Sequence, residues 1–311
     1  MELIRGLHNL RPYHRGCVAT IGNFDGVHLG HQAVLGQLAE RAAELNLPAV
    51  VITFEPHPRE FFARGEVPPR LTRFREKMQA LRRFSVARVV CLRFDQALAD
   101  MPAAEFIRSL LVEGLAVRYL VVGDDFRFGK GRQGDFAMLQ ETGIAQGFQV
   151  AAMHTFNVDG TRVSSTAIRD ALARDDLAAA EKLLGRPYRM CGRVVHGDER
   201  GRGIGFPTAN IHLHRKSSPV SGVYAVEMFG LDKEPLAGVA NVGTRPTVGG
   251  AESRLEVHLL DFDQDIYGRY VHVDFLHKLR PEQRFDSLEE LVAQIRKDAE
   301  AARAFHDQRK R

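Results

Sequence analysis

"GNFDGVHLGH", Gly22 to His31, carries three glycines, an aspartate and two histidines, and follows directly on the apolar run "CVATI", Cys17 to Ile21. A glycine-rich turn between a strand and a helix is where a parallel sheet handles phosphate, because the first N–H groups of the helix point outward and have no partner within it. This turn lacks the lysine of a phosphate loop, and no GxxxxGK[ST] occurs in the chain. "GRGIGF" (Gly201 to Phe206) begins like a dinucleotide fingerprint but ends in Phe, in a β-rich part of the chain, so that reading is not supported either. His28 and His31 are three residues apart and share one side of a helix that starts near Gly30. Two imidazoles placed there can donate hydrogen bonds to a phosphoryl group as it gains charge. The competing reading is a metal-ligand pair or ordinary loop histidines. Asp25 and the flanking glycines, placed after a first strand, favour phosphate.

Outward from this turn, apolar runs alternate with helical patterns. Val34, Leu35, Leu38, Ala42 and Leu45 recur at helical spacing, and "AVVITF" (Ala49 to Phe54) is short and β-branched. A helical stretch near Phe74 to Phe84 precedes "ARVVCL" (Ala87 to Leu92). Phe106, Ile107, Leu110 and Leu111 share a face before "YLVVG" (Tyr119 to Gly123), and "FQVAAMH" (Phe148 to His154) completes the series. Near-continuous apolar strands separated by amphipathic helices predict a doubly wound parallel sheet covered on both faces, with ligands beyond the carboxyl ends of its strands. The helical pair in "SSTAIRDALARDDLAAAEKLLGRPY" (Ser164 to Tyr188), with Asp175 or Asp176 as a cap and Gly185 and Pro187 as stops, closes this half. The domains are therefore expected at 1–185 and 186–311.

The second half has a different texture. "YRMCGRVV", "TANIHL", "GVYAVEMF", "LAGVANV", "RLEVHLL" and "YVHVDF" follow one another without intervening helices, which predicts an antiparallel barrel or sandwich. A final helix is expected over about Ser287 to Phe305, packed on the side of the barrel.

The 311 residues are 44% hydrophobic and 26% charged, an ordinary globular composition with room for two cores. The net charge of +4 is dispersed, which fits a slightly basic enzyme of anionic small molecules better than a nucleic-acid binder. The three cysteines, Cys17, Cys91 and Cys191, form no CxxC, so neither a disulfide framework nor a zinc site is expected. "MELIRGLHNL" has no signal-like apolar region and no run approaches a membrane span. The expectations are a cytoplasmic protein, no nucleic-acid or membrane partner, and at most a weak homo-oligomer.

Two constellations in the second half carry chemistry. In "GRGIGFPTANI" (Gly201 to Ile211), Gly203 and Gly205 permit a loop over phosphates. Thr208 and Asn210, two apart on a strand, offer oxygens on one face, as Mg²⁺ prefers. A glycine-rich hairpin with solvent-facing Thr and Asn is an equal reading of these residues alone. In "RLEVHLLDFDQDIYG" (Arg254 to Gly268), Glu256 and His258 share a face opposite Leu255, Val257 and Leu259. A carboxylate turned into a small barrel is costly unless used, for instance as a general base; an edge-strand Glu facing water is the alternative.

"GNFDGVHLGH" resembles the HxGH signature of the nucleotidyltransferases. "FEPHP" (Phe54 to Pro58), "VVGDDFRFGKGRQG" (Val121 to Gly134), "VSSTAIR" (Val163 to Arg169), "GFPTAN", "NVGTRPT" (Asn241 to Thr247) and "EVHLLDFDQDIYG" resemble the bacterial bifunctional riboflavin kinase/FAD synthetases. The resemblance spans nearly the whole chain. It implies an N-terminal nucleotidyltransferase domain in which the phosphate of FMN attacks the α-phosphate of ATP. It implies a C-terminal six-stranded barrel in which Glu256 takes the proton of the riboflavin 5′-hydroxyl and Thr208 and Asn210 hold Mg²⁺. His28 and His31 are assigned to the ATP phosphates. Gly22, Asn23, Phe24, Asp25, His57, Asp125, Phe126, Ser164, Ser165, Thr166 and Arg169 are assigned to substrate binding in the first domain, and Gly203, Gly205, Pro207, Thr208, Asn210 and Arg245 in the second. Phe126 either meets a flavin ring or fills core, and the "SST" hydroxyls alone would read as a helix cap. A one-activity enzyme, a nucleotidyltransferase acting on pantetheine phosphate, and a non-catalytic flavin- or RNA-binding module are the rivals. Two intact motif sets, the appended barrel and the lack of an aromatic–basic platform disfavour them.

Overall fold

The computed structural model describes residues 1–310 apart from 64, 66, 198–204, 216, 248 and 249; the side chains of 244–247, 250–252 and 310 also lie outside the description. Contacts divide the chain into two units, Met1–Pro68 with Thr72–Ser164, and Pro69–Leu71 with Ser165–Arg311. The helices Ser165–Ala173 and Leu177–Leu184 thus group with the second unit, whereas the sequence pattern puts the change of domain after them.

The first unit is a six-stranded sheet in the order β1-β4-β3-β2-β5-β6, with every neighbouring pair parallel. Its strands are β1 (Glu2–Arg5), β2 (Cys17–Ile21), β3 (Ala49–Glu55), β4 (Arg88–Arg93), β5 (Val117–Gly123) and β6 (Gln149–Met153). Alternate residues of each strand face opposite ways, and both faces are covered. Cys17, Ala19, Ile21, Val50 and Ile52 join the core under Phe106, Ile107, Leu110 and Leu111. Val18, Val51 and Val121 join the core under Leu35, Leu38 and Ala42 of the helix Leu29–Glu44. Leu45, which the helical pattern also put on that face, is exposed just past the helix end. The Phe106 stretch is a short α-helix, Ala103–Phe106, running directly into a π-helix, Ile107–Gly114. From β2 the order runs one way through β3 and β4 and the other way through β5 and β6. The turn after β2 therefore lies at the topological switch point, where open parallel sheets leave a crevice. A small hairpin, β7 (Asn157–Val158) with β8 (Thr161–Arg162), follows the sheet.

In the second unit six strands close a fully antiparallel barrel in the order β10-β13-β12-β11-β14-β9. They are β9 (Tyr188–Val195), β10 (Ala209–His212), β11 (Gly222–Phe229), β12 (Leu236–Thr247), β13 (Gly250–Leu259) and β14 (Tyr270–Arg280). Closure removes every edge, which suits short strands that could not bury two faces as an open sheet. Met190, Val194, Ile211, Tyr224, Val226, Ala240, Val242, Leu255, Val257 and Phe275 are buried and, by strand alternation, fill the interior. The final helix, Leu288–Lys310, lays Ala299, Ala302 and Phe305 on the outer wall against Ala225, Ala237, Val239 and Leu260.

That packing corrects one expectation. Leu255, Val257 and Leu259 occupy the inward face of β13, so Glu256 and His258 stand on the outer face. Glu256 is half-buried there because it lines a cavity shared with the final helix.

Asp176 caps Leu177–Leu184 by accepting from the Ala179 N–H at 2.9 Å. Among the described residues no helix is long and apolar enough to cross a membrane.

Candidate active sites

In the first unit the helix Leu29–Glu44 begins one residue after His28, which is its N-cap: the His31 N–H donates to His28 Nδ1 at 3.3 Å. The two rings stack with centroids 3.6 Å apart and 17° between planes, and Phe24 meets His31 at 5.0 Å. Gly30 leaves room for this, because a Cβ there would make a tight 3.3 Å contact with the His28 ring. Phe24 and Val27 hold φ of 50° and 43°, and for a β-branched valine this is a strained backbone. Strain of this kind persists where the surroundings enforce it, and it is concentrated at functional turns. Asp25 supplies part of the enforcement. It is buried, and its Oδ1 accepts from the Thr72 N–H at 2.9 Å and from the Thr72 hydroxyl at 3.2 Å, while Thr72 Oγ1 accepts from the Gly26 N–H at 2.9 Å.

Two polar atoms at the turn, Asn23 Oδ1 and His31 Nδ1, are buried without a hydrogen-bond partner among the described residues. Such atoms cost stability unless a water or a ligand reaches them. A lysine is present after all. Lys77, from the helix Phe74–Leu81, is buried and donates to Thr53 Oγ1 at 3.3 Å, and Thr53 reaches the Asn23 carbonyl at 3.4 Å. Burial first, and then the charges of His28 and Lys77, hold His31 well below the ordinary histidine value of 6.5. As pH falls past that value the unfolded chain takes up a proton at this position that the folded protein refuses, so stability declines toward acid. His31→Gln will flatten that acid-side decline, measured as unfolding free energies at about pH 7 and about pH 5.5. An unchanged pH dependence would contradict the origin given for it.

The other assigned residues of this half have varied surroundings. His57 caps the helix Pro58–Phe62, its Nδ1 accepting from the Arg59 N–H at 3.1 Å, with Glu60 reciprocating at 3.3 Å. Asp125 is exposed and pairs with Arg162. Phe126 stacks on Phe128 at 5.5 Å and packs against core. Gly22 donates to the Ile52 carbonyl at 3.0 Å. Ser164 closes the first unit; Ser165 opens the next helix in the second unit, and Thr166 is exposed on it. Arg169 donates to the carbonyls of Pro69 at 2.7 Å and Ser165 at 3.3 Å.

An aromatic cluster escaped the sequence reading. Phe54, Phe61, Phe62 and Phe94 gather at the carboxyl end of β3 and β4, with centroids 5.2–5.8 Å apart, and Phe62 is 60% exposed. Its only sequence signal was an excess of Phe on both sides of "EPHP".

In the second unit, Asn210, Glu256 and Asn241 stand directly opposite one another on β10, β13 and β12. All three line a cavity of about 440 Å³ with apolar walls that include Val223, Leu291 and Ile295. A second cavity of about 200 Å³ has Asp263, Asp265 and Tyr267 in its lining, and Thr208 and Asn210 line both. Gly197 gives Asn210 its place, since a Cβ there would fall 2.2 Å from the amide nitrogen. His258 Nδ1 lies 2.9 Å from the Pro207 carbonyl and Phe206 packs edge-on against the His258 ring, which ties "GFPTAN" to β13. Gly205 adopts φ +84° just before it. Gly203 lies outside the described residues. The Arg245 backbone pairs with Glu252, and its side chain lies outside the description. Asn241, the first residue of "NVGTRPT", carries no local signal of a role; strand register puts it beside Glu256.

A family model described as FAD synthetase matches residues 10–167, and one described as riboflavin kinase matches residues 184–306. Curated proteins described as bifunctional riboflavin kinase/FMN adenylyltransferase are 56% identical in Escherichia coli, over 98% of this chain and 98% of that one, and 55% identical in Pseudomonas fluorescens, again over 98% of each. A crystal structure from Streptococcus pneumoniae described as a macrolide-efflux protein superposes with a TM-score of 0.82 at 32% identity, over 97% of this chain and 99% of that one. The chain belongs to the bifunctional riboflavin kinase/FMN adenylyltransferase family. Flavin cofactor synthesis from riboflavin, FMN and ATP is accordingly its chemistry.

Proposed function

We propose that riboflavin is phosphorylated on the outer wall of the barrel and that the FMN formed is adenylylated at the histidine turn of the parallel sheet. The observation that carries the first assignment is the pair of cavities meeting at Thr208 and Asn210. A nucleotide in the smaller one and a flavin in the larger, apolar one would bring the γ-phosphate and the 5′-hydroxyl together at that divide, beside Glu256. Glu256 then accepts the hydroxyl proton as the oxygen attacks the γ-phosphorus, and ADP leaves. Asn241, in register with it, orients the same hydroxyl.

Thr208 and Asn210 fit Mg²⁺: both offer neutral oxygens, and a Mg²⁺ site usually takes its remaining ligands from phosphate and water. When bound, the ion would neutralise charge on the transferring phosphate. In the adenylylation step His28 and His31 donate to the α-phosphate region as a phosphate oxygen of FMN attacks and pyrophosphate departs. No covalent enzyme intermediate is needed, so positioning and charge complementarity supply the rate. Asn23, Asp25 and Lys77 hold the turn, and the Phe62 cluster offers an apolar face to the isoalloxazine. The hydroxyls of Ser164, Ser165 and Thr166 and the Arg169 guanidinium serve the departing phosphates. The working division of labour is 1–185 for adenylylation and 186–311 for phosphorylation, in a cytoplasmic enzyme with no nucleic-acid partner and at most weak self-association.

A time course of riboflavin with ATP and Mg²⁺ tests this: FMN rises first and FAD follows, and chelation of divalent cations stops both. Thr208→Ala will raise the Mg²⁺ needed for FMN formation by about 10- to 100-fold, the usual scale for loss of a group that supports a metal. FAD formation from supplied FMN keeps its Mg²⁺ dependence. An equal shift in both steps would remove Thr208 from the kinase site.

A further inference from the structure

The larger barrel cavity has a polar end that the proposed phosphoryl transfer does not use. Asn210, Glu256, Asn241, Val223 and Arg280 follow one another in direct register across β10, β13, β12, β11 and β14, and all five line the cavity. At the usual spacing of neighbouring strands, Arg280 stands about 19 Å along the wall from Asn210.

Arg280 is held there firmly. Its Nε donates to both oxygens of Asp298, at 3.0 and 3.1 Å, and its Nη2 donates to Asp298 Oδ2 at 2.8 Å. Gln294 donates to Asp298 Oδ1 at 2.9 Å. Four bonds fill the acceptor capacity of the carboxylate, so Asp298 orients Arg280 and has nothing left to offer a ligand. Arg280 also donates through Nη1 to the Pro281 carbonyl at 3.0 Å, and the Phe285 ring lies 5.7 Å from the guanidinium carbon. Among the described residues nothing accepts from the other two of its five N–H groups. The side chains of this ion pair are only 18% and 7% exposed, among Leu291, Ile295 and Ala299. Burying such a pair in an apolar wall is rarely favourable for stability alone.

A flavin ring is apolar at its dimethylbenzene end and carries two carbonyl acceptors, C2=O and C4=O, at its pyrimidinedione end. With the ribityl 5′-hydroxyl at Glu256, the ring extends along the wall away from Asn210. We propose that Arg280 is a specificity-determining residue of the kinase step, donating its free N–H groups to the pyrimidinedione carbonyls, with Asp298 and Gln294 as positioning residues. This rests on the assignment of the cavity to the flavin.

Thio-substituted flavins test it, because sulfur accepts hydrogen bonds weakly. Riboflavin, 2-thioriboflavin and 4-thioriboflavin are compared as substrates at saturating ATP. The full-length enzyme will disfavour at least one thioflavin by about tenfold in kcat/KM, as loss of a charged hydrogen bond predicts. Arg280→Met will lower kcat/KM for riboflavin by a similar factor, mostly through KM, and will bring the thioflavin penalty close to one. The KM for ATP will not move. Arg280→Lys and Asp298→Asn, which are smaller changes, will weaken the penalty partway, and thermal melts show which variants are folded. A merely structural pair would alter the melting temperature without erasing discrimination between oxygen and sulfur. Indifference of the unmodified enzyme to both thioflavins, or an intact penalty in folded Arg280→Met or Asp298→Asn, overturns the proposal. Failure to phosphorylate riboflavin at all would instead overturn the kinase reading on which the cavity assignment rests.

Discussion

His31→Ala will stop the conversion of FMN to FAD while riboflavin is still turned into FMN, so FMN accumulates in a reaction that normally passes through it. The expected loss is about 10²- to 10³-fold in the turnover of adenylylation, the scale for removing one preorganised donor from a developing charge. His31 is the informative choice of the pair. His28 also accepts the His31 N–H as the cap of the helix Leu29–Glu44, so truncating it mixes chemistry with the loss of about 1 kcal/mol of capping. Among the described residues His31 Nδ1 has no hydrogen-bond partner, and burial keeps the ring neutral. Its removal takes away a donor and leaves in place the backbone N–H that His28 caps. Flavins separated after incubation with riboflavin, ATP and Mg²⁺ give the answer. FAD formation within about threefold of the unmodified enzyme would remove His31 from the chemistry.

Glu256→Gln will have the reverse effect: riboflavin persists, while supplied FMN is still converted to FAD. The amide keeps the size and the neighbours of Glu256, between Asn210 and Asn241 on the outer wall, and removes only its ability to take a proton. A general base is worth about 10²- to 10⁴-fold. The loss should appear in kcat with little change in the KM for either substrate, the signature of an interaction made in the transition state. A rise in KM alone would make Glu256 a binding residue.

Much of this architecture is legible in the sequence, and what is not has physical reasons. The strands β2 to β6 declare themselves because a sheet covered on both faces needs near-continuous apolar runs. β1 does not: of "ELIR" only Ile4 is buried, and an edge strand of four residues leaves too short a pattern. The barrel strands show alternation, but alternation cannot say which face is inside. The sequence reading of Glu256 as inward failed because the covering of the outer wall comes from a helix some thirty residues downstream. Asn241 enters the site through register alone. Lys77 sits in "FREKMQAL", where a charged residue reads as solvent-facing; its burial depends on a neighbouring strand that local periodicity does not contain. The strand–turn–helix geometry around Gly22 to His31 is legible because glycine spacing, histidine spacing and a preceding apolar strand agree.

The central claim is that one chain performs two different transfers from ATP, of the γ-phosphoryl group and of the adenylyl group. Following label from ATP into the flavins tests it most directly. Label placed in the γ-phosphate will appear in FMN and be carried into FAD, whereas label placed in the α-phosphate will appear in FAD and never in FMN. Label from the α-phosphate in FMN, or FAD formed from riboflavin without label from the γ-phosphate, would contradict the account.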